Sequence, residues 1–198
     1  MDASEISGPQ SASSRPKERA DAARNREKVL KAAAKLFREK GVAAVSMDAV
    51  AAEAGVGKGT LFRRFGDKSG LAVALLDARE RELQTAILSG PPPLGPGAPA
   101  RERLAAFVSA YLDYLLAHLD LVRMSETASP GARQRIGAYR FWRQHVAMLL
   151  AEAAPERDAG ALAGVLLAAL SAEEAGALVE ECGEGRARAA ISDMVGRM

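Results

Sequence analysis

A short segment near residue 60 combines positively charged and hydroxyl side chains with two regularly spaced apolar residues. Leu61 and Phe65 lie one helical turn apart, so they would share the inward face of a short helix. The side chains that then point away from this face are those of Lys58, Thr60, Arg63 and Arg64. A short helix with an apolar back and a cationic front suits the major groove of DNA, where side chains reach the base edges.

A second short helix is predicted immediately before this one. Ser46 can cap its start, because a serine hydroxyl accepts a hydrogen bond from an unpaired amide of the first turn. Gly55 lies where the helix must stop, since glycine adopts the left-handed conformation without a Cβ clash, and Val56 can close over the turn. The apolar face of this helix consists of Val50, Ala51 and Ala54. The pattern therefore predicts two short helices joined by a tight turn, with the second carrying the DNA-reading residues.

The segment over residues 46–68, SMDAVAAEAGVGKGTLFRRFGDK, resembles the DNA-binding domain of the TetR family of transcriptional regulators, and the resemblance extends over residues 25–76. It implies an all-α protein with an N-terminal three-helix helix-turn-helix domain, followed by a helical ligand-binding and dimerisation domain. In this family the second helix of the motif contacts base edges, while its ends and the following lysine hold phosphates. The base-facing residues would be Lys58, Gly59 and Arg63, and the phosphate-holding residues would be Thr60 and Lys68.

Two positions depart from the family pattern. Phe62 replaces a tyrosine whose hydroxyl commonly meets a phosphate, so only an apolar contact with a sugar remains there. Arg64 stands where histidine is common, and a cation at this position can contact a phosphate. Together with Ser46 at the start of the motif, these residues complete the predicted DNA-contacting set. We expect Arg63 to contribute most to specificity, because an arginine can contact O6 and N7 of one guanine together.

The segment GVGKGT also has some likeness to a phosphate-binding loop, but both its spacing and its context differ. That motif requires a glycine, four residues and then Gly-Lys-Ser/Thr, and it follows a strand. Here the position five before Gly57 is Ala52, and Lys58 is followed by Gly59. The preceding segment is helical in pattern, so nucleotide binding by this loop is excluded.

The composition favours an all-helical protein. The chain has 198 residues, of which 48% are apolar and 5% aromatic, enough for one or two small domains with a hydrophobic core. Long segments rich in alanine and leucine, with few β-branched runs of period two, favour helices over strands. The single cysteine, Cys182, excludes an intrachain disulfide, and neither a membrane-length apolar run nor a signal-peptide core occurs. We therefore expect a cytoplasmic protein.

Charge is distributed unevenly along the chain. Residues 15–70 contain 14 Lys/Arg against 7 Asp/Glu, whereas residues 71–198 contain 13 against 16. All seven lysines lie at or before Lys68. The first third of the chain thus has the electrostatic character of a polyanion-binding protein, and the remainder does not.

The order of segments predicts three parts: a disordered basic-ended arm over residues 1–20, a DNA-binding domain over residues 21–69 and a second domain over residues 70–198. Helix one should run from Asp21 or Asn25 to Lys40, with Leu30, Ala33, Ala34 and Phe37 inward. The proline-rich segment 90–99 should be a loop. Further helices are predicted over residues 70–88, 101–118, 119–125, 132–154, 158–170, 171–182 and 184–198.

Aromatic and polarisable side chains of the second domain could line a pocket for a small-molecule effector, because such sites are mostly apolar with a few polar groups. The candidates are Phe107, Tyr111, Met124, Tyr139, Trp142 and His145; Tyr114, His118 and Met148 are further residues of the same kind. Taken singly, a residue of this kind is more often ordinary core than part of a pocket. The family resemblance also implies a homodimer in which helices 158–170 and 184–198 pair with their copies; packing within one chain is the alternative.

The resemblance therefore implies a ligand-responsive regulator, a repressor that a small molecule releases from a palindromic operator in double-stranded DNA. An all-helical enzyme or ligand carrier and a non-specific DNA-coating protein are the alternatives. The enzymatic interpretation has little support, because His118 and His145 lack partners at metal-ligand spacing and Cys182 has no nearby base in sequence. We expect no catalytic residues, no metal, no cofactor and no membrane partner.

Overall fold

The computed structural model describes the backbone of residues 14–198 and the side chains of residues 20–198. Within this range the chain is all-α, without a strand, which confirms the predicted fold class. The helices are α1 Ser14–Lys40, α2 Met47–Ala54, α3 Lys58–Phe65, α4 Lys68–Ser89, α5 Ala100–Ala117, α6 Leu119–Thr127, α7 Ala132–Arg135, α8 Gly137–Ala153, α9 Ala159–Ala169, α10 Ala172–Cys182 and α11 Glu184–Gly196. They form two compact units, the first ending at Phe65 and the second extending from Gly66 to Met198.

The first helix begins earlier than the sequence pattern predicts. It starts at Ser14 rather than at Asp21 or Asn25, so the prediction of a disordered arm is wrong for residues 14–20. Alanine, arginine, lysine and glutamate fill this stretch and all favour a helix, while Pro16 falls in the first turn, where proline is tolerated. Residues 1–13 of the predicted arm lie outside the described residues.

The first unit is a small three-helix core. Residues Ala33 and Phe37 of α1 are buried as predicted, together with Val50 of α2 and Leu61 of α3, whose exposed fraction is 1%. Helix α2 packs against both α1 and α3. The three helices therefore share one apolar centre and leave their polar faces outward.

The second unit is built around α5. Helices α8 and α11 pack against α5, α9 packs against α8, and α6 packs against α4 and α10. The core residues of α5 are Leu104, Phe107, Val108, Tyr111, Leu112 and Leu115, all of them buried. Within residues 14–198 no single helix is long and apolar enough to span a membrane. Two bent pairs of helices, α5 with α6 and α9 with α10, reach that length and apolar composition only when the two helices are taken together.

The predicted helix over residues 132–154 is broken. Ile136 has φ −65° and ψ 128°, which is extended backbone, and it separates the four-residue α7 from α8. Gly137 follows at once, and glycine favours a helix less than alanine by about 1 kcal/mol. The break turns Arg133 inward, where its Nε donates to Glu126 Oε1 at 2.6 Å. Both side chains are largely buried, so each charge compensates the other.

The apolar stripe of the last helix is covered within the chain. Its apolar residues Ala187, Ile191 and Val195 have exposed fractions of 2%, 5% and 5% within one chain, because α5 and α10 cover them. Arg188 reinforces this packing through an ion pair with Asp113 of α5, at 2.9 Å between Nη1 and Oδ1. The 184–198 stripe therefore has a partner within the chain, the alternative that the sequence left open, and the pairing of this helix with its copy stays a prediction.

The buried His145 generates a prediction about pH. Burial and the neighbouring Arg103 lower the pKa of His145 to about 4. The unfolded chain binds this proton near pH 6.5, so the free energy of unfolding should fall as the pH decreases from 6.5 to 4, by about 3 kcal/mol at most. Urea denaturation at pH 7.0 and pH 5.0 measures this difference. His145→Leu should reduce it, whereas His118→Asn, at a half-buried position, should keep it; equal pH dependence in both variants would contradict the assignment.

Candidate nucleic-acid interface and interior cavity

Local hydrogen bonds fix the two short helices of the first unit. Ser46 caps α2 as predicted, its Oγ accepting from Ala49 N at 3.1 Å. Gly55 ends the helix with φ 64°, and the amides of Gly55 and Val56 donate to the carbonyls of Ala52 and Ala51 at 3.2 and 3.0 Å. A residue with a Cβ would be strained at this φ. The turn is therefore short and defines how α3 leaves α2.

Packing at one residue orients α3. Leu61 is buried with an exposed fraction of 1%, and Phe65 is half-buried on the same face. The remaining face is open to solvent, and all six predicted contact residues on α3 lie on the exposed part of the helix: Lys58, Gly59, Thr60, Phe62, Arg63 and Arg64. An apolar anchor and an exposed cationic face thus occur on one two-turn helix.

Arg63 differs from its cationic neighbours. It is exposed, and no ion pair or hydrogen bond involves its side chain among residues 20–198. Its guanidinium keeps five donors in a planar fork that matches two acceptors of one base. The residue expected to read bases is therefore the one whose side chain is unengaged.

Lys58 is held by a residue that the sequence analysis missed. Its Nζ donates to Asp48 Oδ2 on α2, and both side chains are more than half exposed. Such an exposed ion pair is worth no more than about 1 kcal/mol. A phosphate can replace this carboxylate at little cost, so Asp48 places Lys58 on the outer surface without blocking it.

Arg64 connects two helices instead of pointing into solvent alone. Its Nη1 donates to the main-chain carbonyl of Ala22 in α1 at 2.8 Å. This bond connects α3 to α1, and the phosphate contact expected from the sequence for this exposed arginine stays a prediction. The contact spans 42 positions in sequence, and no local pattern indicates it.

The start of α4 carries the last predicted contact residue. Asp67 caps this helix, its Oδ1 accepting from Gly70 N at 2.9 Å and from Ser69 Oγ at 2.5 Å. The hydrogen bond from Ser69 and that from the amide of Gly70 lower the pKa of Asp67, so it is ionised at neutral pH. Lys68, the first residue of α4, is half-buried.

Five of the six predicted pocket residues come together inside the second unit. Phe107 lies next to Tyr111, Trp142 and His145, with ring centroids 5.7, 6.0 and 5.4 Å apart. Tyr111, Tyr139 and Trp142 line a cavity of about 20 Å³, whereas Met124 does not line it. A space of that size holds about one water molecule and is far below the volume of a usual ligand site.

Tyr114, a further aromatic residue noted from the sequence, also lines this cavity. The other polar residues of the lining were not singled out from the sequence: Glu80, Ser125, Glu126 and Arg133. The hydroxyl group of Tyr114 donates a hydrogen bond to Glu80 Oε1 at 2.9 Å. Burial raises the pKa of Tyr111 to about 12, so this tyrosine is neutral. Across the described part of the chain, no group of three or more His, Cys, Asp or Glu could hold a metal ion.

Comparison with known proteins agrees with this geometry. Residues 29–75 match the profile described as "Bacterial regulatory proteins, tetR family". An HTH-type transcriptional regulator of Staphylococcus aureus (strain bovine RF122 / ET3-1) is 45% identical over 69 residues, which are 35% of this chain and 36% of that protein. One from strain USA300 is 51% identical over 53 residues, covering 27% and 29%. The chain thus spans little more than a third of the length of the curated relatives it matches.

Solved structures share the fold over most of the chain. A transcriptional regulator from Saccharomonospora viridis, crystallised with choline, is 22% identical with a TM-score of 0.59, covering 88% of this chain and 95% of that one. The fatty acid degradation regulator FadR from Bacillus halodurans is 16% identical with a TM-score of 0.62, covering 86% and 94%. At these identities the likeness concerns the fold alone.

The Lys58–Asp48 pair leads to a prediction for DNA affinity. Asp48→Asn releases Lys58 and removes one negative charge beside it, so the dissociation constant for duplex DNA should fall by up to about five-fold, the equivalent of 1 kcal/mol. Fluorescence anisotropy at fixed salt measures this change. Glu53→Gln is a matched control, because it removes the same charge from the same helix and breaks the ion pair with Lys35 instead. An equal gain in both variants would mean that only net charge matters.

Proposed function

We propose that the chain, whose N-terminal domain belongs to the TetR family of bacterial transcriptional regulators, is a repressor that binds a palindromic operator as a homodimer and is released by a small molecule. The observation that carries this proposal is the exposed cationic face of α3 opposite the buried Leu61. A helix presented in this way fits the major groove of B-DNA. The homologues and the fold are those of regulators and not of enzymes.

Roles on the DNA-reading helix follow from what each side chain is free to do. Arg63 is expected to contact a guanine, since nothing in the described chain engages its guanidinium. Gly59 allows close approach, because a Cβ built there meets no atom within 4 Å and the helix surface is open. Phe62, with an exposed fraction of 46%, offers an apolar surface to a sugar. Arg64 keeps α3 in position through Ala22.

The surface proposed for dimerisation lies on α8 and α9. Met148 of α8 and Val165 of α9 are 47% and 59% exposed, and the two helices pack against each other. Ala161, Gly164 and Ala168 of α9 are small residues that would allow another helix to come close. We propose that these two helices pair with their copies, because the stripe of α11 is covered within the chain.

Release of the operator requires that the two heads of a dimer change their separation. Two recognition helices fit one face of DNA when they are one helical turn apart, about 34–36 Å. A ligand that binds better to a dimer with another spacing shifts the population toward that form. The fold relative from Saccharomonospora viridis, solved with choline, supports a small-molecule effector here, and the aromatic cluster of the second unit is the proposed place.

The division between base and phosphate contacts can be tested with two variants. Arg63→Ala should weaken binding to the operator by about 1–3 kcal/mol more than binding to random DNA, because it removes a bidentate base contact. Lys68→Ala should weaken both by the same factor and reduce the salt slope by about one, since it removes a phosphate contact. Mobility shifts on the DNA beside the chain's own gene, over a salt series, measure both effects. Equal losses for both variants on both DNAs would refute the assignment, and equal affinity of the wild type for all sequences would indicate a non-specific DNA-coating protein.

The dimer surface has its own test. Val165→Glu places a charge on the exposed apolar face of α9 and should shift the mass measured by sedimentation or light scattering from dimer to monomer. Leu88→Glu is the matched control, because Leu88 is 63% exposed and lies on α4, outside the proposed surface. A dimer that survives Val165→Glu, or that Leu88→Glu disrupts equally, would place the interface elsewhere.

A further inference from the structure

The small cavity of the second unit has the composition of a cation site. Four aromatic residues line it, Tyr111, Tyr114, Tyr139 and Trp142, together with the two carboxylates of Glu80 and Glu126. Aromatic faces attract cations through the quadrupole of the ring, most strongly where water is excluded. Carboxylates add a full negative charge to that attraction.

A cation of the chain itself already occupies part of this site. The guanidinium of Arg133 has its Cζ 4.8 Å from the centroid of the Tyr139 ring. Its Nε donates to Glu126 Oε1 at 2.6 Å and its Nη2 to the carbonyl of Leu170 at 3.3 Å. The side chains of Arg133 and Glu126 are only 10% and 9% exposed. The site therefore accommodates a delocalised cation between an aromatic face and a carboxylate.

The charges of the lining do not balance. Glu126 is paired with Arg133, but no lysine or arginine of the described chain forms an ion pair with Glu80, whose hydrogen bond comes from Tyr114. Burial raises the pKa of Glu80 above its ordinary value. A half-buried carboxylate without a cation lowers the free energy of unfolding at neutral pH. A bound cation near Glu80 would therefore compensate a charge that no lysine or arginine of the described chain compensates.

The segment that holds Arg133 can move without unwinding a long helix. Helix α7 has four residues, beginning after Gly131 with φ 70° and ending at Ile136 with extended backbone. Arg133 and its neighbours are therefore joined to α6 through the non-helical residues 128–131 and to α8 through Ile136. The cavity of about 20 Å³ is too small for an organic molecule, and withdrawal of this guanidinium is the direct way to enlarge it.

The aromatic residues and the two carboxylates that line the cavity are called the cage below. We propose that the cage binds an organic cation of the quaternary ammonium class, which displaces the guanidinium of Arg133 and lies between the Tyr139 ring, Glu126 and Glu80. The assignment of this cation as the effector rests on the proposed function; the binding itself does not. Arg133 then acts as an internal competitor that closes the empty site. An entering cation takes over the charge of Arg133 at Glu126 and supplies the charge that Glu80 lacks.

The position of Glu126 connects this exchange to other helices. Its Oε2 accepts from Ala172 N, the first residue of α10, at 2.8 Å, and α6 packs against α4. Displacement of Arg133 frees α7 while Glu126 stays neutralised, so α6 and α10 keep their common anchor. The expected change is therefore a movement of α7 relative to α6, with α4 as the next helix in contact with α6.

The test measures thermal unfolding of the full chain with four probes. Choline, tetramethylammonium and tetraethylammonium carry the positive charge, and 3,3-dimethylbutan-1-ol is the neutral isostere of choline. At least one of the cations should raise Tm with concentration, whereas the alcohol should raise it much less. No rise with any cation, or an equal rise with the alcohol, would overturn the proposal.

Two variants separate a ligand site from a structural ion pair. Glu80→Gln should raise Tm without ligand, or leave it unchanged, and weaken cation binding at least ten-fold. Glu82→Gln, on the same helix but paired with Arg79 on the exposed face, is the matched control and should bind cations as the wild type does. Arg133→Met should lower Tm without ligand and bind the cations more tightly, because it removes the competitor. Unchanged cation affinity in Glu80→Gln would overturn the proposal even if Arg133→Met does not fold.

Mobility shifts on the same samples distinguish this inference from the proposed function. If DNA binding is intact but no cation changes Tm, the proposal of a cation site is wrong and the proposed function remains. Cation binding that depends on Glu80, in a chain without specific DNA binding, would keep the cage and remove its regulatory role.

Discussion

Burial of Leu61 is the constraint on which the proposed DNA-reading surface depends. The two-turn helix α3 is too short to be stable alone, since isolated helices of this length are marginal in water. Its attachment to the core through one leucine of 1% exposure fixes both its place and its rotation. The rotation then decides that Arg63 and Phe62 face outward. The chemistry of the surface therefore follows from an apolar contact on the opposite side of the helix.

Features encoded by adjacent residues could be predicted from the sequence. The cap at Ser46 and the left-handed Gly55 both occur in the structure, because each depends on residues within a few positions of the helix end. Helix limits beyond residue 40 are accordingly close to prediction, except for the break at Ile136. The exposed face of α3 could also be predicted from the sequence, since the spacing of Leu61 and Phe65 determines which face is buried.

Features that depend on which helices become neighbours could not be predicted. The contact of Arg64 with Ala22 spans 42 positions and the pair of Arg133 with Glu126 forms only where α7 breaks from α8. The covering of α11 by α5 is of the same kind, because an apolar stripe does not specify its partner. Most polar residues that line the interior cavity could not be predicted for this reason, whereas most of its aromatic residues could be predicted from their residue type.

One carboxylate has a consequence for how the second unit opens. Glu126 joins α6 to α7 through Arg133 and to the first residue of α10, which is 46 positions further along the chain. Each of these two bonds compensates only part of the buried charge of Glu126. Loss of one bond therefore destabilises the other. The start of α10 and the short α7 should accordingly exchange their amide hydrogens together, as one cooperative block, although they are far apart in sequence.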